Sequence, residues 1–264
     1  MSALASQFIG LTVSLVQLGI AVAQGFCYYR AFPRDKQLLK CLVVTLLILN
    51  AFATALTGFM YWSFFSYCFR SYSSKCQAWD TAAMVLLCLA STVPFIVQSF
   101  YCHRVWIISN KNIYVTIPII LFSVSSYALG LVIVPQQSSG AFASDGPLKV
   151  STAGAFLSVV CDSMISLSVY FYLRSGRSGV RRMDTRIPCI TKNFIGTGFL
   201  SCLLAISICI LYWVNAPAAI GGVAMVLRNS YGNSVLAILN ARKPIDRSQM
   251  MDVELPTIAV HNSR

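Results

Sequence analysis

Charged side chains are scarce in this chain. Asp, Glu, Lys and Arg make up 11% of its 264 residues, whereas hydrophobic residues make up 57%. Soluble domains carry about 25% charged residues. One water-soluble core cannot bury so much apolar surface, so the composition excludes an ordinary soluble domain. It indicates that lipid is the solvent for most of the chain.

Acidic residues and histidines, which often carry out acid–base catalysis, are scarcer still, at 8 and 2. The sequence has no HExxH, no GxSxG, no phosphate-binding glycine loop and no Cys/His spacing typical of a metal site. We therefore expect a protein that is not an enzyme and that uses no metal or cofactor. The net charge of +12 does not indicate a nucleic-acid partner, because the basic residues stand between apolar runs, where membrane topology places them.

Long apolar runs are what the sequence has in abundance. A membrane-spanning helix needs about 20 mostly apolar residues, and seven stretches qualify. They are Gln7–Tyr29, Leu38–Tyr61, Ala82–Ile107, Ile113–Val134, Lys149–Leu173, Cys189–Val214 and Pro217–Leu239. The sequence thus predicts an all-α membrane protein. Its seven-helix transmembrane domain covers residues 1–240, and residues 241–264 form a short disordered cytosolic tail.

The distribution of Lys and Arg predicts the orientation of these spans. Of the 20 basic residues, 16 lie in the segments on one side of the membrane and 3 in the segments on the other. Because basic loops stay in the cytosol, we expect the N-terminus outside and the C-terminus in the cytosol. The expected location is the plasma membrane or another secretory-pathway membrane, with anionic lipids as partners at the inner face.

Two loops carry candidate functional residues. Cys68 and Cys76 share the outer loop after the second span, where the compartment permits a disulfide; the alternative is a free pair of small apolar residues. The inner loop after the fifth span is strongly basic. It either docks a cytosolic signalling partner or only contacts lipid headgroups and sets orientation. Its arginines are Arg174, Arg177, Arg181, Arg182 and Arg186.

Five polar residues are predicted at similar depth near the bilayer centre. They are Gln17, Asn50, Gln98, Asp162 and Arg228. At about 1.5 Å per residue, Asp162 and Arg228 both lie about 16 Å from the inner interface. We therefore expect these two opposite charges to pair, directly or through one water. Alternatively, Arg228 extends into an outer water-filled cavity, where it would bind an anionic ligand. A third possibility is that the polar layer only holds the helices together through hydrogen bonds.

Several motifs together resemble a large family of seven-helix membrane proteins of unknown function from mushroom-forming fungi. They are QSFYCHRVW at Gln98–Trp106, Asp162 followed by YLRSGRSGVRRMDT, YGNSVLAILNAR at Tyr231–Arg242, and Gln24, Tyr29, Asp35 and Lys40. The chain departs from the family pattern at Asn50, where an acid is expected, and at Arg228, where a lysine is expected nearby. The resemblance implies the fold and topology, and it supplies no activity.

Three functions from different classes remain open on the sequence. A receptor-like sensor of a small ligand fits the topology best. The alternatives are a carrier of a small polar or anionic solute, with Arg228 as its counter-charge, and a membrane scaffold whose polar layer only fixes packing.

Overall fold

The computed structural model describes residues 2–63, 65–66, 77–138, 145–175, 187–214 and 216–242. Within these ranges the chain forms seven α-helices and no strand, which confirms the all-helical prediction. The helices are α1 (Ser2–Ala31), α2 (Gln37–Ser63), α3 (Gln77–Ile108), α4 (Ile113–Ser138), α5 (Asp145–Ser175), α6 (Ile187–Trp213) and α7 (Pro217–Asn240).

Five helices contain stretches long and apolar enough to cross a membrane. These are Ala5–Ala31, Gln37–Ser63, Thr81–Ile108, Ile113–Pro135 and Lys149–Tyr172, and α6 adds the shorter apolar stretch Leu200–Trp213. Large apolar side chains such as Phe8, Ile48 and Leu121 are exposed on the helix surfaces, as expected where lipid rather than water surrounds them. The chain is therefore a multi-pass membrane protein.

The seventh helix carries several buried polar side chains because other helices enclose it. None of residues 219–242 is exposed, and α7 packs against α1, α2, α3 and α6. Its buried polar side chains include Arg228, Asn229, Ser230 and Ser234. These groups face other helices instead of lipid, so α7 needs no continuous apolar surface.

The helices are arranged as a closed ring. Each helix packs against the next along the chain, α7 closes against α1, and α3 also contacts α5 and α7. The apolar core is concentrated where α1, α3, α5 and α7 end, with Tyr28, Leu46, Val105, Val169 and Leu239 among its members. We call this end of the bundle, where α7 finishes at Asn240, the closed end.

Small residues let α1 and α7 approach closely. A Cβ added at Gly10 would lie 2.7 Å from the Gly222 Cα, and one added at Gly222 would lie 2.5 Å from the Ser6 carbonyl oxygen. Farther along the seam, Asn229, Asn233 and Asn240 donate side-chain hydrogen bonds to α1 backbone carbonyls at 2.8–3.2 Å. Backbone contact and these amides together hold the ring closed at this seam.

Replacing Gly222 by leucine should separate α1 from α7. The added side chain meets backbone that cannot rotate away, and overpacking of this kind costs about 1–3 kcal/mol. Gly19→Leu is the matched control, because a Cβ there meets nothing within 4 Å. The measurement is unfolding of purified protein by SDS titration in mixed micelles. Equal losses in the two variants would contradict the close packing.

Candidate ligand-binding site

A partly open cavity of about 170 Å³ lies inside the ring, between α3, α4, α5, α6 and α7. Its lining runs from Leu87 to Gln98 on α3 and from Ala224 to Tyr231 on α7. The α5 residues that line it lie in the first half of that helix, and those of α4 lie in its second half. The cavity therefore occupies the half of the bundle away from the closed end.

The walls of the cavity are mostly apolar. Phe95 of α3 and Tyr127 of α4 are stacked there with ring centroids 4.5 Å apart. Pro94 also lines it and lacks the N–H that would complete the helical hydrogen bond to the Ala90 carbonyl. An apolar chamber with a few polar groups is the usual form of a small-molecule site.

Arg228 is the one charged side chain among the residues that line the cavity. It is 4% exposed, and its Nε and Nη2 atoms are buried without a hydrogen-bond partner among the described residues. These two N–H groups form one edge of the guanidinium, the edge that pairs side by side with both oxygens of a carboxylate. This edge is therefore unsatisfied, and because both atoms are enclosed by protein, a ligand in the cavity pairs with it only after the side chain turns.

Asp162 lies just beyond the cavity, where side chains from several helices surround it. The Tyr231 hydroxyl donates to its Oδ2 at 2.5 Å, and Gln98 Nε2 donates to its Oδ1 at 3.2 Å. The Ser201 hydroxyl adds another hydrogen bond. A carboxylate that accepts several hydrogen bonds can stay buried, so Asp162 joins α3, α5, α6 and α7.

Serines extend this hydrogen-bond network along the wall of the cavity nearest Asp162, which we call the cavity floor. Gln98 Nε2 also donates to Ser158 Oγ at 3.3 Å, and the Ser158 and Ser126 hydroxyls lie 3.0 Å apart. Gln98, Ser126, Ser158 and Tyr231 all line the cavity. A change at the cavity floor therefore reaches the Asp162 carboxylate through one hydrogen bond.

Asp162 and Arg228 do not form the predicted direct pair among the described residues, and a pair through one water remains a prediction. The Asp162 oxygens are bound by neutral donors, and among the described residues the ion pair that forms is Arg242 with Asp35. Equal depth does not imply proximity, because depth fixes a position along the membrane normal and not around the ring. Tyr231, one helical turn beyond Arg228, donates to Asp162 where a bond from the arginine was expected.

Gln17 and Asn50 lie away from the cavity, between α1, α2 and α7. Gln17 Nε2 donates to Ser230 Oγ at 2.8 Å. Asn50 is 2% exposed. Its amide lies against Gly232 and would block a Cβ added at that glycine. Of the five residues predicted in one layer, Gln98, Asp162 and Arg228 lie at the cavity or its floor, and these two lie in a separate polar seam.

The loop predictions lie outside the described residues. These are the Cys68–Cys76 disulfide, the arginines Arg177, Arg181, Arg182 and Arg186, and the tail beyond Arg242. Arg174 is in α5, but its side chain is not described. The disulfide and the partner or lipid contact of the basic loop remain predictions.

Residues 158–244 match a family of unknown function, DUF6534. The match covers about a third of the chain. No curated protein and no solved structure matches the chain. The wider resemblance to seven-helix fungal proteins remains a prediction.

The DUF6534 match includes much of the site. Asp162, Ser201, Arg228 and Tyr231 lie within it, whereas Gln98 and the aromatic pair on α3 and α4 lie before it. The matched segment thus supplies the cation and the buried carboxylate, and the preceding helices supply the opposite wall.

The DUF6534 match also includes Arg242, which forms an ion pair at the closed end. Arg242 Nη2 donates to Asp35 Oδ2 at 2.6 Å, and the Tyr28 hydroxyl donates to the same oxygen at 2.8 Å. The guanidinium lies 5.0 Å from the centre of the Phe32 ring. These contacts fasten the turn between α1 and α2 to the end of α7.

The Asp35 carboxyl has a lowered pKa. Burial alone would raise it, but hydrogen bonds from Arg242, Tyr28 and the Lys36 backbone N–H outweigh burial. A carboxyl with a folded-state pKa below its unfolded value stabilises the fold above the unfolded pKa. That contribution is lost as pH falls through the folded pKa.

Asp35→Asn should therefore lower the free energy of unfolding by about 1 kcal/mol at neutral pH, a typical value for a partly exposed pair. The difference from the native protein should hold from pH 7 to about pH 5 and shrink below about pH 4. Unfolding in mixed micelles across this pH range measures it. A difference that instead vanished on going from pH 5 to pH 8 would contradict the role of Asp35.

Proposed function

We propose that this protein is a receptor-like membrane protein that binds a small ligand in the cavity between α3 and α7. The observation that carries the proposal is the difference between the two ends of the helix bundle. One half holds a partly open cavity beside an unpaired Arg228, and the other half is filled by the apolar core and fastened by Asp35 and Arg242.

The proposed topology has seven spans with the N-terminus outside and the C-terminus in the cytosol. The bias of Lys and Arg supports it, since the basic segments join the helices at the closed end. In this orientation the cavity lies in the outer half of the bundle. A ligand then arrives from outside and needs no passage across the membrane to reach Arg228.

Coupling to the cytosolic side follows from the hydrogen bonds below the cavity. Tyr231 lines the cavity and donates to Asp162, and its carbonyl accepts from Ser234 at 2.7 Å. The Ser234 hydroxyl is hydrogen-bonded to Tyr101 of α3 at 2.7 Å. A ligand that displaces α7 at Arg228 alters the contacts of α7 with α3 and α5. The displacement then extends along α7 toward Arg242. The basic loop after α5 is the proposed docking surface for a cytosolic partner.

A carrier is the second candidate, and the unpaired Arg228 favours it. A buried cation of this kind provides a counter-charge for an anionic solute. A carrier must also open the closed end, where the core and the Asp35–Arg242 pair now block passage. Receptor and carrier therefore differ in one measurable property, which is net movement of the ligand.

A screen of small molecules against purified protein in lipid nanodiscs tests the binding role. A bound ligand at 100 times its Kd should stabilise the native protein by about 2.7 kcal/mol. Ala155→Leu, which fills the cavity, should abolish this stabilisation, whereas the matched change Ala51→Leu on an exposed surface of α2 should not.

The same ligand is then tested for uptake into liposomes that contain the protein. The receptor-like proposal expects saturable binding without uptake. Uptake that Ala155→Leu abolishes would establish the carrier instead. Equal stabilisation of native protein and Ala155→Leu by every compound would contradict a ligand-binding cavity.

A further inference from the structure

We propose that the ligand of this cavity is a monocarboxylate whose apolar body is about the size of one six-membered ring. The inference rests on the proposed function, because it assigns a chemical class to the ligand of the same cavity. Three features carry it: the free edge of Arg228, the balance of charge around it, and the size and lining of the cavity.

The free edge of Arg228 selects for a planar acid. Its Nε–H and Nη2–H donors are parallel and unpaired, and their spacing matches the two oxygens of a carboxylate. A charged arginine near the centre of a bilayer costs about 2.5–3.5 kcal/mol on insertion scales when it has no partner. Once the side chain turns this enclosed edge toward the cavity, a carboxylate there supplies both the missing hydrogen bonds and the missing charge.

The balance of charge selects for a single negative charge. No other charged side chain lines the cavity, and the nearby carboxylate of Asp162 is already bound by Tyr231, Gln98 and Ser201. Because hydrogen bonds from neutral donors leave the Asp162 charge in place, Arg228 can offset at most one further negative charge. A phosphate dianion would leave an uncompensated buried negative charge in the same chamber, which is strongly unfavourable.

The size and lining of the cavity select for a compact apolar body. An apolar protein cavity of about 150 Å³ accepts benzene, and this one has about 170 Å³. Phe95 and Tyr127 form a stacked wall, and Leu227 and Ile208 add aliphatic contacts. The space fits one ring, or a branched aliphatic chain of equal volume, and excludes a long acyl chain from its interior.

A second unpaired polar group lies on the wall formed by α4. Ser123 is 4% exposed and lines the cavity, and its hydroxyl oxygen is buried with no hydrogen-bond partner among the described residues. Arg228 on α7 and Ser123 on α4 are thus two unsatisfied polar groups on different walls of one chamber. A polar substituent on the ligand body would use the second one, and Ser123→Ala should weaken binding of such a ligand about 2- to 10-fold.

Paired probes test the class directly. Benzoate, 4-hydroxybenzoate, cyclohexanecarboxylate and 3-methylbutanoate are each compared with the corresponding neutral amide, and inorganic phosphate is included as a simple anion. Binding is measured by calorimetry on the full chain in nanodiscs of neutral phosphatidylcholine. At least one carboxylate should bind 10-fold or more tightly than its amide, and more tightly than phosphate.

Variants of Arg228 show whether the guanidinium edge is responsible. Arg228→Lys keeps the charge but lacks the paired donors, and it should weaken the best carboxylate about 10- to 150-fold. Binding of the matching amide should change less than 3-fold. Gel filtration and unfolding midpoints confirm that each variant is folded, and Ala155→Leu, with Arg228 intact, should also lose carboxylate binding.

Three results would overturn the inference while leaving a ligand-binding cavity in place. Amides that bind as tightly as their acids would show a neutral ligand. Phosphate that binds as tightly as every carboxylate would show an anion site without selection by size. Carboxylate binding that Arg228→Lys leaves unchanged would locate the acid elsewhere. If no compound of a broad screen distinguishes native protein from Ala155→Leu, the proposed function fails together with the inference.

Discussion

Asp162→Ala should be the most damaging single substitution in the bundle, with a loss of about 3–5 kcal/mol in the free energy of unfolding. Asp162 is 5% exposed, and it accepts hydrogen bonds from Tyr231, Gln98 and Ser201. Removing the carboxylate leaves these buried donors unsatisfied, at about 1–3 kcal/mol each. The effect should far exceed the average of about 0.6 kcal/mol for a hydrogen bond between membrane helices.

The control for this substitution is Ser163→Ala, the next residue of α5. Its hydroxyl contacts the Cys202 sulfur at 3.6 Å and takes no part in the carboxylate network. Its loss should be under about 0.5 kcal/mol, since a sulfur contact is weak. SDS titration of both variants in mixed micelles measures the difference. A loss below 1 kcal/mol for Asp162→Ala would show that the network does not hold the helices together.

Arg228→Met should have the opposite effect and stabilise the protein when no ligand is present. Methionine has a similar length and no charge, so the unsatisfied Nε and Nη2 groups disappear. The gain should be about 2–3 kcal/mol, close to the insertion cost of a central arginine. A binding residue that destabilises the empty protein is a familiar compromise between stability and function.

The matched control is Arg104→Met on α3. The Arg104 guanidinium lies 5.5 Å from the centre of the Phe100 ring and is partly exposed near the closed end. Losing a cation–π contact costs about 0.5–1 kcal/mol, so this variant should be neutral or slightly less stable. If Arg228→Met were also destabilised, the guanidinium would be part of the packing and not a ligand group.

Apolar runs allowed the helices to be predicted from the sequence, because length and hydropathy are local properties. The predicted span Ala82–Ile107, for example, falls within the apolar stretch Thr81–Ile108 of α3. The polar character of α7 has a tertiary cause, since a helix enclosed by four others needs no lipid-facing side. The close approach of Gly10 to Gly222 could not be predicted, because another glycine of the same helix, Gly19, meets no neighbour.

The candidate site was only partly predictable, for a reason that Asp162 illustrates. Its depth and its burial followed from its place in a span, and the structure brings Gln98 to it as one member of the predicted layer. Its other partners, Tyr231 and Ser201, depend on the rotation of α6 and α7 about their axes. Charge alone favoured Arg228 as the partner, but neutral donors from three other helices reach the buried carboxylate and satisfy it.

If Asp162 stabilises the bundle while Arg228 is reserved for a ligand, the two side chains should act independently in a double-mutant cycle. The free energy of unfolding is measured without ligand for the native protein, Asp162→Asn, Arg228→Met and the double variant. The account predicts a loss for Asp162→Asn, a gain for Arg228→Met, and a double variant that equals their sum within about 0.5 kcal/mol. Losses in both single variants, with recovery of more than about 1 kcal/mol in the double variant, would show that the two charges stabilise each other and would contradict the account.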